Sequence, residues 1–100
     1  MAPLEENKLI VLRRIEALNA GDADAARRLA HPDFYDHEVR DGRAASRLEP
    51  LDILAEDDRV VVRARVGGVQ EIHIWRVSDG LVVEHWHASE AHRQSGKELQ

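Results

Sequence analysis

The stretch that decides the fold is Val69–Ser89, VQEIHIWRVSDGLVVEHWHAS. Apolar and β-branched residues alternate with polar ones on both sides of Ser78–Gly80, which predicts two strands joined by a tight turn. A connection this short makes the strands antiparallel neighbours. The stretch therefore predicts a hairpin whose strands cover about Val69–Val77 and Leu81–Ser89.

Further strands are predicted ahead of this hairpin. Arg59–Val66 alternates around valines and ends at Gly67–Gly68, a pair that accepts the positive φ angles of a two-residue turn. Leu48–Leu54 is also strand-like, but Pro50 confines it to a sheet edge or a strand start. Phe34–Val39 alternates as one more short strand. Together these segments predict a curved antiparallel sheet.

The front of the chain predicts two helices. The first covers about Leu4–Ala20, followed by Gly21 as its C-terminal cap and Asp22 as the N-terminal cap of the next helix. The second covers about Ala23–Ala30 and ends ahead of a proline. The apolar stripe of the first helix consists of Leu4, Val11, Ile15 and Leu18.

The length of the chain favours a single domain, and the predicted helices and strands make it an α+β domain. The 100 residues carry a net charge of −5 and no cysteine, which excludes disulfides and thiolate metal sites. Acidic and basic residues are interspersed without a basic block, so we expect no nucleic-acid partner. No apolar run is long enough to span a bilayer, and the start does not resemble a signal peptide, so we expect a cytoplasmic protein without a membrane partner. Residues 1–90 are expected to form the domain and residues 91–100 a flexible tail.

The last turn decides which histidines share a face of the sheet. A three-residue turn with a G1 bulge at Gly80 pairs His73 with His85 and puts His87 on the same face. A two-residue turn over Asp79–Gly80 shifts the register and moves His85 and His87 away from His73. We favour the three-residue turn because it also brings unlike charges together on the opposite face.

Three imidazoles on one face allow three interpretations. They can be hydrogen-bonded polar residues that line a groove or a subunit contact. They can be general acids and bases whose pKa is set by a nearby carboxylate. They can also hold a zinc ion with an open position. No carboxylate is clearly placed to complete a metal site or to support its ligands, so we expect no metal and no cofactor.

Smaller features add candidate residues for substrate binding. Asp36 and His37 are adjacent on a predicted strand and therefore point to opposite faces, so only one of them can reach a pocket. Tyr35 and Trp75 are candidates to line an apolar cavity, although packing in the core is the commoner role of such residues. Arg13 and Arg14 are expected to be solvated positions of the first helix.

Four stretches carry a resemblance to a known family, namely Ile10–Asp22, His31–His37, Ala55–Val62 and, most specifically, Ile74–Trp86. They resemble SnoaL-like proteins of the nuclear transport factor 2-like superfamily. The resemblance implies an α+β cone of the cystatin-like kind, in which helices pack on a curved sheet and a pocket opens at the wide end. It also implies activities such as polyketide cyclisation, isomerisation, dehydration or epoxide hydrolysis.

By motif position, the acid–base residues of the cyclases fall on His73 and His87. In the cyclases one of these two residues is a histidine and the other an aspartate, whereas both are histidines here, and Glu90 is the nearest acidic substitute. Family members also carry a further helix where this chain has only Gly42–Arg47, together with a longer loop where it has Gly67–Gly68. The resemblance therefore implies an internally shortened member with a shallower pocket, or one that a partner subunit completes.

Two classes of function remain, together with a metal-binding protein as a third. The first is a cofactor-free enzyme on a small apolar molecule, in which His73 and His87 shuttle protons and His85 assists. Trp75 and Tyr35 would then shape the cavity, with the Asp36–His37 pair beside them. The second is a non-catalytic ligand-binding or assembly module. In either case we expect a homodimer through the sheet, formed by the apolar residues Ile72, Ile74, Val82 and Trp86.

Overall fold

The computed structural model describes residues 3–37 and 47–89. Two helices precede five strands, and the strands form one sheet in the order β1-β5-β4-β3-β2. The predicted α+β architecture is confirmed. The prediction of a wholly antiparallel sheet is wrong, because β1 joins β5 in parallel. The elements are α1 (Pro3–Asn19), α2 (Ala23–Arg28), β1 (Ala30–Asp36), β2 (Leu48–Glu56), β3 (Arg59–Val66), β4 (Val69–Ser78) and β5 (Leu81–Ser89).

The junction between the helices follows from two adjacent residues. Gly21 takes a φ of 75°, the left-handed conformation that ends α1 at little cost for a residue without a side chain. Asp22 accepts a hydrogen bond of 3.0 Å from the backbone N–H of Ala25, which caps α2. Both caps are as predicted, and they fold α2 back so that it packs on β1 while α1 lies on β2, β3 and β5.

The face that α1 turns to the sheet is centred on Val11, Ile15 and Asn19. The two apolar residues are buried. The Asn19 amide donates to the carbonyl of Leu48 at 2.8 Å and accepts from its N–H at 2.9 Å, which joins the end of α1 to the start of β2. Because this line of residues faces the sheet, Leu18 turns away from it and is 50% exposed. The prediction that Leu18 belongs to the buried stripe is therefore wrong.

The core lies between α1 and one face of the sheet, which we call the inner face. Val60, Val62 and Val66 of β3 point inward as the alternation of the sequence predicts, while the arginines of the strand face out. Within residues 3–37 and 47–89, neither helix has the length and apolar character that crossing a bilayer requires. The core cluster comprises Val11, Ile15, Val60, Val62, Ala64, Val66, Trp75, Val77 and Val82.

The last hairpin differs from its prediction. Ser78 pairs with Leu81, so the turn has two residues, and both Asp79 and Gly80 take positive φ angles (52° and 79°). The bulge lies one step further along β5, where Val83 is the extra residue between the Val77–Val82 and Arg76–Glu84 pairs. Because the turn has two residues, Val82 pairs with Val77 and is fully buried on the inner face, which corrects its predicted place on the outer, exposed face.

The front strand is displaced from its predicted position. It begins at Ala30 rather than Phe34, and Pro32 falls where its pairing with β5 is irregular. Beyond the irregularity, the N–H of His37 donates to the carbonyl of His85 at 2.9 Å. This contact places the end of β1 beside the histidines of β5. Residues 38–46 and 90–100, which include the predicted shortened segment up to Ser46, Glu90 and the predicted tail, lie outside the described residues.

Candidate functional site

Three imidazole rings lie side by side on the inner face. His73 of β4 is directly opposite His87 of β5, and Trp75 is opposite His85. The planes of the three histidine rings differ by only 11–16°, and their centroids are 5.0–6.0 Å apart. The histidines thus share a face as predicted, but the partner of His73 is His87 and not His85, because the bulge lies at Val83.

Four side chains form a continuous chain of hydrogen bonds, which we call the relay. Oδ1 of Asp36 lies 3.0 Å from Nδ1 of His85, so the end of β1 is tied to β5. Nε2 of His85 lies 2.8 Å from Nδ1 of His73. Nε2 of His73 lies 2.7 Å from Oε1 of Glu71. The relay therefore runs across three strands from one carboxyl group to another through two imidazoles.

The relay needs three protons, one for each of its hydrogen bonds. Two neutral imidazoles supply two of them, because a neutral ring carries one N–H and one acceptor nitrogen. The third proton makes one ring an imidazolium or makes one carboxyl group neutral. In every case the four groups together carry one negative charge. The arrangement has several proton configurations of equal charge, which is the property that a proton-conducting network requires.

The lowered pKa of His73 means that this ring is uncharged near neutral pH. Burial lowers its pKa to about 4, the charges of His85 and His87 act in the same direction, and Glu71 opposes the change. His73 is therefore neutral near pH 7.

The relay runs from the interior towards the surface. The side chains of Glu71 and His73 are only 5% and 3% exposed. The exposure rises to 11% at His85 and to 39% at Asp36. Asp36 is thus the group of the relay that a bound molecule reaches most easily, and Glu71 is the most distant from it along the chain of bonds.

A cation lies close to the Asp36 end. The guanidinium of Arg14 donates to the carbonyl of Ala26 and lies 4.7 Å from the centroid of the Phe34 ring. Burial lowers the pKa of Arg14, whereas the charge of Asp36 acts to raise it. The prediction that Arg14 is a solvated helix position is wrong, because the side chain is half-buried between α1, α2 and β1.

Two predicted site residues lie on the outer face, away from the three histidines. The His37 ring stacks on Trp86 at 4.8 Å, and its Nε2 lies 2.8 Å from Oε2 of Glu84. Tyr35 meets the edge of the His37 ring and is 59% exposed. His37 first, and then Arg76, hold the pKa of Glu84 below its ordinary value. Tyr35 lines an open depression of about 440 Å³ with His31, Asp33, Arg76, Val83 and Glu84.

The remaining predicted residues come together on the inner face. Trp75 is buried, with its ring centroid 4.7 Å from that of His85 and 5.4 Å from that of His73. Asp36 points inward and His37 outward, as two adjacent strand residues must. The structure therefore joins His73, His85, His87, Trp75 and Asp36 in one site.

Glu71 is the residue of this site that the sequence reasoning missed. It stands two positions before His73 on the same strand, so the alternation of a strand places both on one face. That signal was present in the sequence. The contact between Asp36 and His85 had no such signal, because it depends on a pairing between segments 49 residues apart.

Comparison with known proteins supports the fold. No protein-family model matches the sequence, and no curated protein sequence matches it. Among solved structures, Bal32a from a soil-derived mobile gene cassette aligns with a TM-score of 0.74 and 19% identity over 87% of this chain and 91% of that chain. AclR of Streptomyces galilaeus, a proposed hydroxylase, aligns with a TM-score of 0.66 and 28% identity over 94% of this chain and 98% of that chain.

Other similar structures point to the same fold. IdmH of Streptomyces antibioticus, a proposed polyketide cyclase, aligns with a TM-score of 0.65 and 21% identity over 94% of this chain and 99% of that chain. An NTF2-like protein of unknown function from Burkholderia pseudomallei aligns with a TM-score of 0.70 and 18% identity over 89% of this chain and 94% of that chain. The described part of the chain thus has the architecture that these proteins share.

Proposed function

We propose that this chain, which has the nuclear transport factor 2-like fold, is an enzyme that moves protons on a small apolar molecule. The observation that carries the proposal is the relay, because it links a half-exposed carboxyl group to a buried one through two imidazoles. A proposed polyketide cyclase and a proposed hydroxylase are among the similar structures, so enzymes are proposed among the proteins that share this fold.

Asp36 is the proposed group that exchanges a proton with the substrate. Its side chain is the most exposed of the relay. When Asp36 is ionised it can accept a proton from an acidic C–H bond. Asp36 then carries this proton and can return it to another atom of the substrate, so one residue acts first as a base and then as an acid, which is the requirement of an isomerisation. The hydrogen bond to His85 keeps Asp36 in place for both steps.

His87 is the proposed second acid–base group. Its ring centroid lies 5.0 Å from that of His73, and it is less buried than that ring. In a cyclisation the C–H bond breaks at the base, a C–C bond forms to a carbonyl carbon, and the carbonyl oxygen takes up a proton. Asp36 and His87 on the same face can serve the two ends of this reaction. His85, His73 and Glu71 act through Asp36 and are positioning residues.

The test uses 5-nitrobenzisoxazole, a flat apolar probe whose ring opens when a base removes its C–H proton and the N–O bond breaks. We expect the metal-free protein, held in chelator, to accelerate this reaction. Asp36→Asn should lower the rate about 100-fold, within the range of general-base effects. Asp33→Asn is the matched control, since Asp33 lies on the same strand with its side chain 92% exposed. Equal rates for the wild type and a folded Asp36→Asn variant would contradict the proposal.

A second proposal concerns the outer face, which we infer joins two copies of the chain. Leu54, Val61, Ile74 and Trp86 are successive cross-strand partners and form one apolar row over four strands. Leu54 is 67% exposed. Charges of both signs flank the row, in the Arg63–Asp52 and Arg76–Glu84 ion pairs. An isologous interface needs such self-complementary surfaces.

Sedimentation equilibrium tests the homodimer. We expect a dimer for the wild type and a monomer for Leu54→Glu, which places a charge at the exposed end of the apolar row. Lys8→Glu, on the helical side, should leave the dimer intact. A monomeric wild type would exclude this interface. A dimer without activity on the probe would favour the ligand-binding or assembly module over the enzyme.

We also propose the cytoplasm as the compartment, in line with the absence of cysteine.

A further inference from the structure

The three histidines of the inner face also have the geometry of a metal site. One ring nitrogen of each of His73, His85 and His87 lies within 4.8 Å of the other two. We propose that these three nitrogens bind one zinc ion and leave a fourth position open. This proposal is separate from the proton-transfer function, because the ion occupies the place of the hydrogen bond between His73 and His85. The two proposals describe a metal-bound and a metal-free state of the protein.

The carboxylates of the relay supply the second observation. The carboxyl group of Glu71 is hydrogen-bonded to Nε2 of His73, and that of Asp36 is hydrogen-bonded to Nδ1 of His85. The opposite nitrogens of these two rings therefore face each other. In metal sites a ligating histidine commonly donates its other N–H to a carboxylate, which fixes the ring and strengthens the ligand. The absence of such carboxylates was the reason to expect no metal from the sequence, and the structure provides two.

Zinc binding requires one separation to open and the longest to close, by up to about 1.5 Å, since the three nitrogens lie within 4.8 Å of one another. Tetrahedral zinc with Zn–N bonds of about 2.0–2.1 Å separates its ligand nitrogens by about 3.3 Å. The facing nitrogens of His73 and His85 are 2.8 Å apart and must open by about half an ångström. Ring rotation about the side-chain bonds provides this movement, since the backbones of β4 and β5 are fixed by their ladder.

The ligand chemistry selects the type of ion. Three imidazoles and no thiolate suit zinc, cobalt, nickel or copper, whereas magnesium and calcium prefer oxygen ligands. Three nitrogen ligands with an open position are the arrangement of catalytic rather than structural zinc. The ion that fits the site is therefore a divalent transition-metal cation that accepts imidazole nitrogens, and we propose zinc.

Trp75 provides a local reporter for the ion. Its ring is adjacent to both His85 and His73, whereas Trp86 faces the other side of the sheet. In a Trp86→Phe background the fluorescence of the protein therefore reports on the inner face alone. Cobalt(II), a substitute for zinc, quenches a nearby indole and gives a visible absorption band when its coordination is tetrahedral.

The experiment titrates cobalt(II) and then zinc into untagged, chelator-treated full-length protein. We expect one cobalt per chain, a tetrahedral absorption band, quenching of Trp75 and displacement by zinc. His87→Ala should weaken binding at least tenfold, and Asp36→Ala about 10–100-fold, the usual effect of removing a supporting carboxylate. His37→Ala is the matched control and should bind as the wild type does.

Three results would overturn the metal proposal. They are the absence of binding at one equivalent of either ion, wild-type binding by His87→Ala, and loss of binding in His37→Ala. If His87→Ala does not fold, His87→Gln replaces it, and Asp36→Ala tests the supporting shell independently. The proton-transfer assay is carried out in chelator, so a failure of metal binding leaves that proposal intact. Conversely, a metal-binding protein without activity on the probe would retain only the metal site.

Discussion

Acidification of the metal-free protein should destabilise it through His73. The ring is 2% exposed, and its pKa is lowered from 6.5 to about 4 in the folded state. Between these two values the unfolded chain binds a proton that the folded chain excludes. Stability therefore rises with pH in this window, and the contribution of His73 is lost as the pH falls from about 6.5 to about 4.

The magnitude follows from the size of the shift. A lowering from 6.5 to about 4 corresponds to about 3 kcal/mol at roughly 1.4 kcal/mol per pKa unit. A domain of this size has a free energy of unfolding of about 5–15 kcal/mol, so the loss is a large part of the total. The charged and titratable groups that face His73 are Glu71, His85 and His87, so a comparison with a variant is needed to isolate the effect of His73.

The assay is urea unfolding, followed by circular dichroism in the presence of chelator, at several pH values from about 7 to about 4. His73→Gln keeps a polar side chain that can bond to Glu71 but does not titrate. We expect the wild type to lose about 3 kcal/mol more than this variant over the window. His31→Gln, which removes a 41% exposed histidine, should follow the wild type. Parallel curves for wild type and His73→Gln would refute the argument that burial keeps this ring neutral.

Two further substitutions and one deletion test the packing and the strand register that position the site. Val62→Ala empties a fully buried position of β3 and should cost about 2 kcal/mol in the free energy of unfolding, measured in urea. Asn19→Ala removes both bonds to the backbone of Leu48 and should cost about 1–2 kcal/mol in the same assay, whereas the exposed Glu16→Ala should cost little. Deletion of Val83 removes only the extra residue and leaves Trp75 opposite His85 and His73 opposite His87, so a folded deletion variant should keep its cobalt binding, whereas loss of binding in that variant would contradict the proposed register.

Local features of the fold could be predicted from the sequence, because short-range chemistry determines them. The helix caps at Gly21 and Asp22 and the turn at Gly67–Gly68 depend on residues that favour one conformation. The parallel pairing of β1 with β5 could not be predicted, since nothing near Asp36 specifies a partner so distant in the chain. The inward position of Arg14 likewise depends on the packing of α2 and β1 around it.

The prediction that the histidines share a face is correct, although it assumed a three-residue turn and the turn has two residues. The reason is the charge of Glu84. With a two-residue turn and no bulge, Trp75 would pair with Glu84, and the carboxylate would point into the core. Burial of an unpaired carboxylate costs far more than one residue of strained ladder. The extra residue at Val83 instead sets Glu84 opposite Arg76 on the outer face, where the two side chains meet at 2.8 Å. The same shift turns His85 inward, so the charge pair on one face determines the histidine cluster on the other.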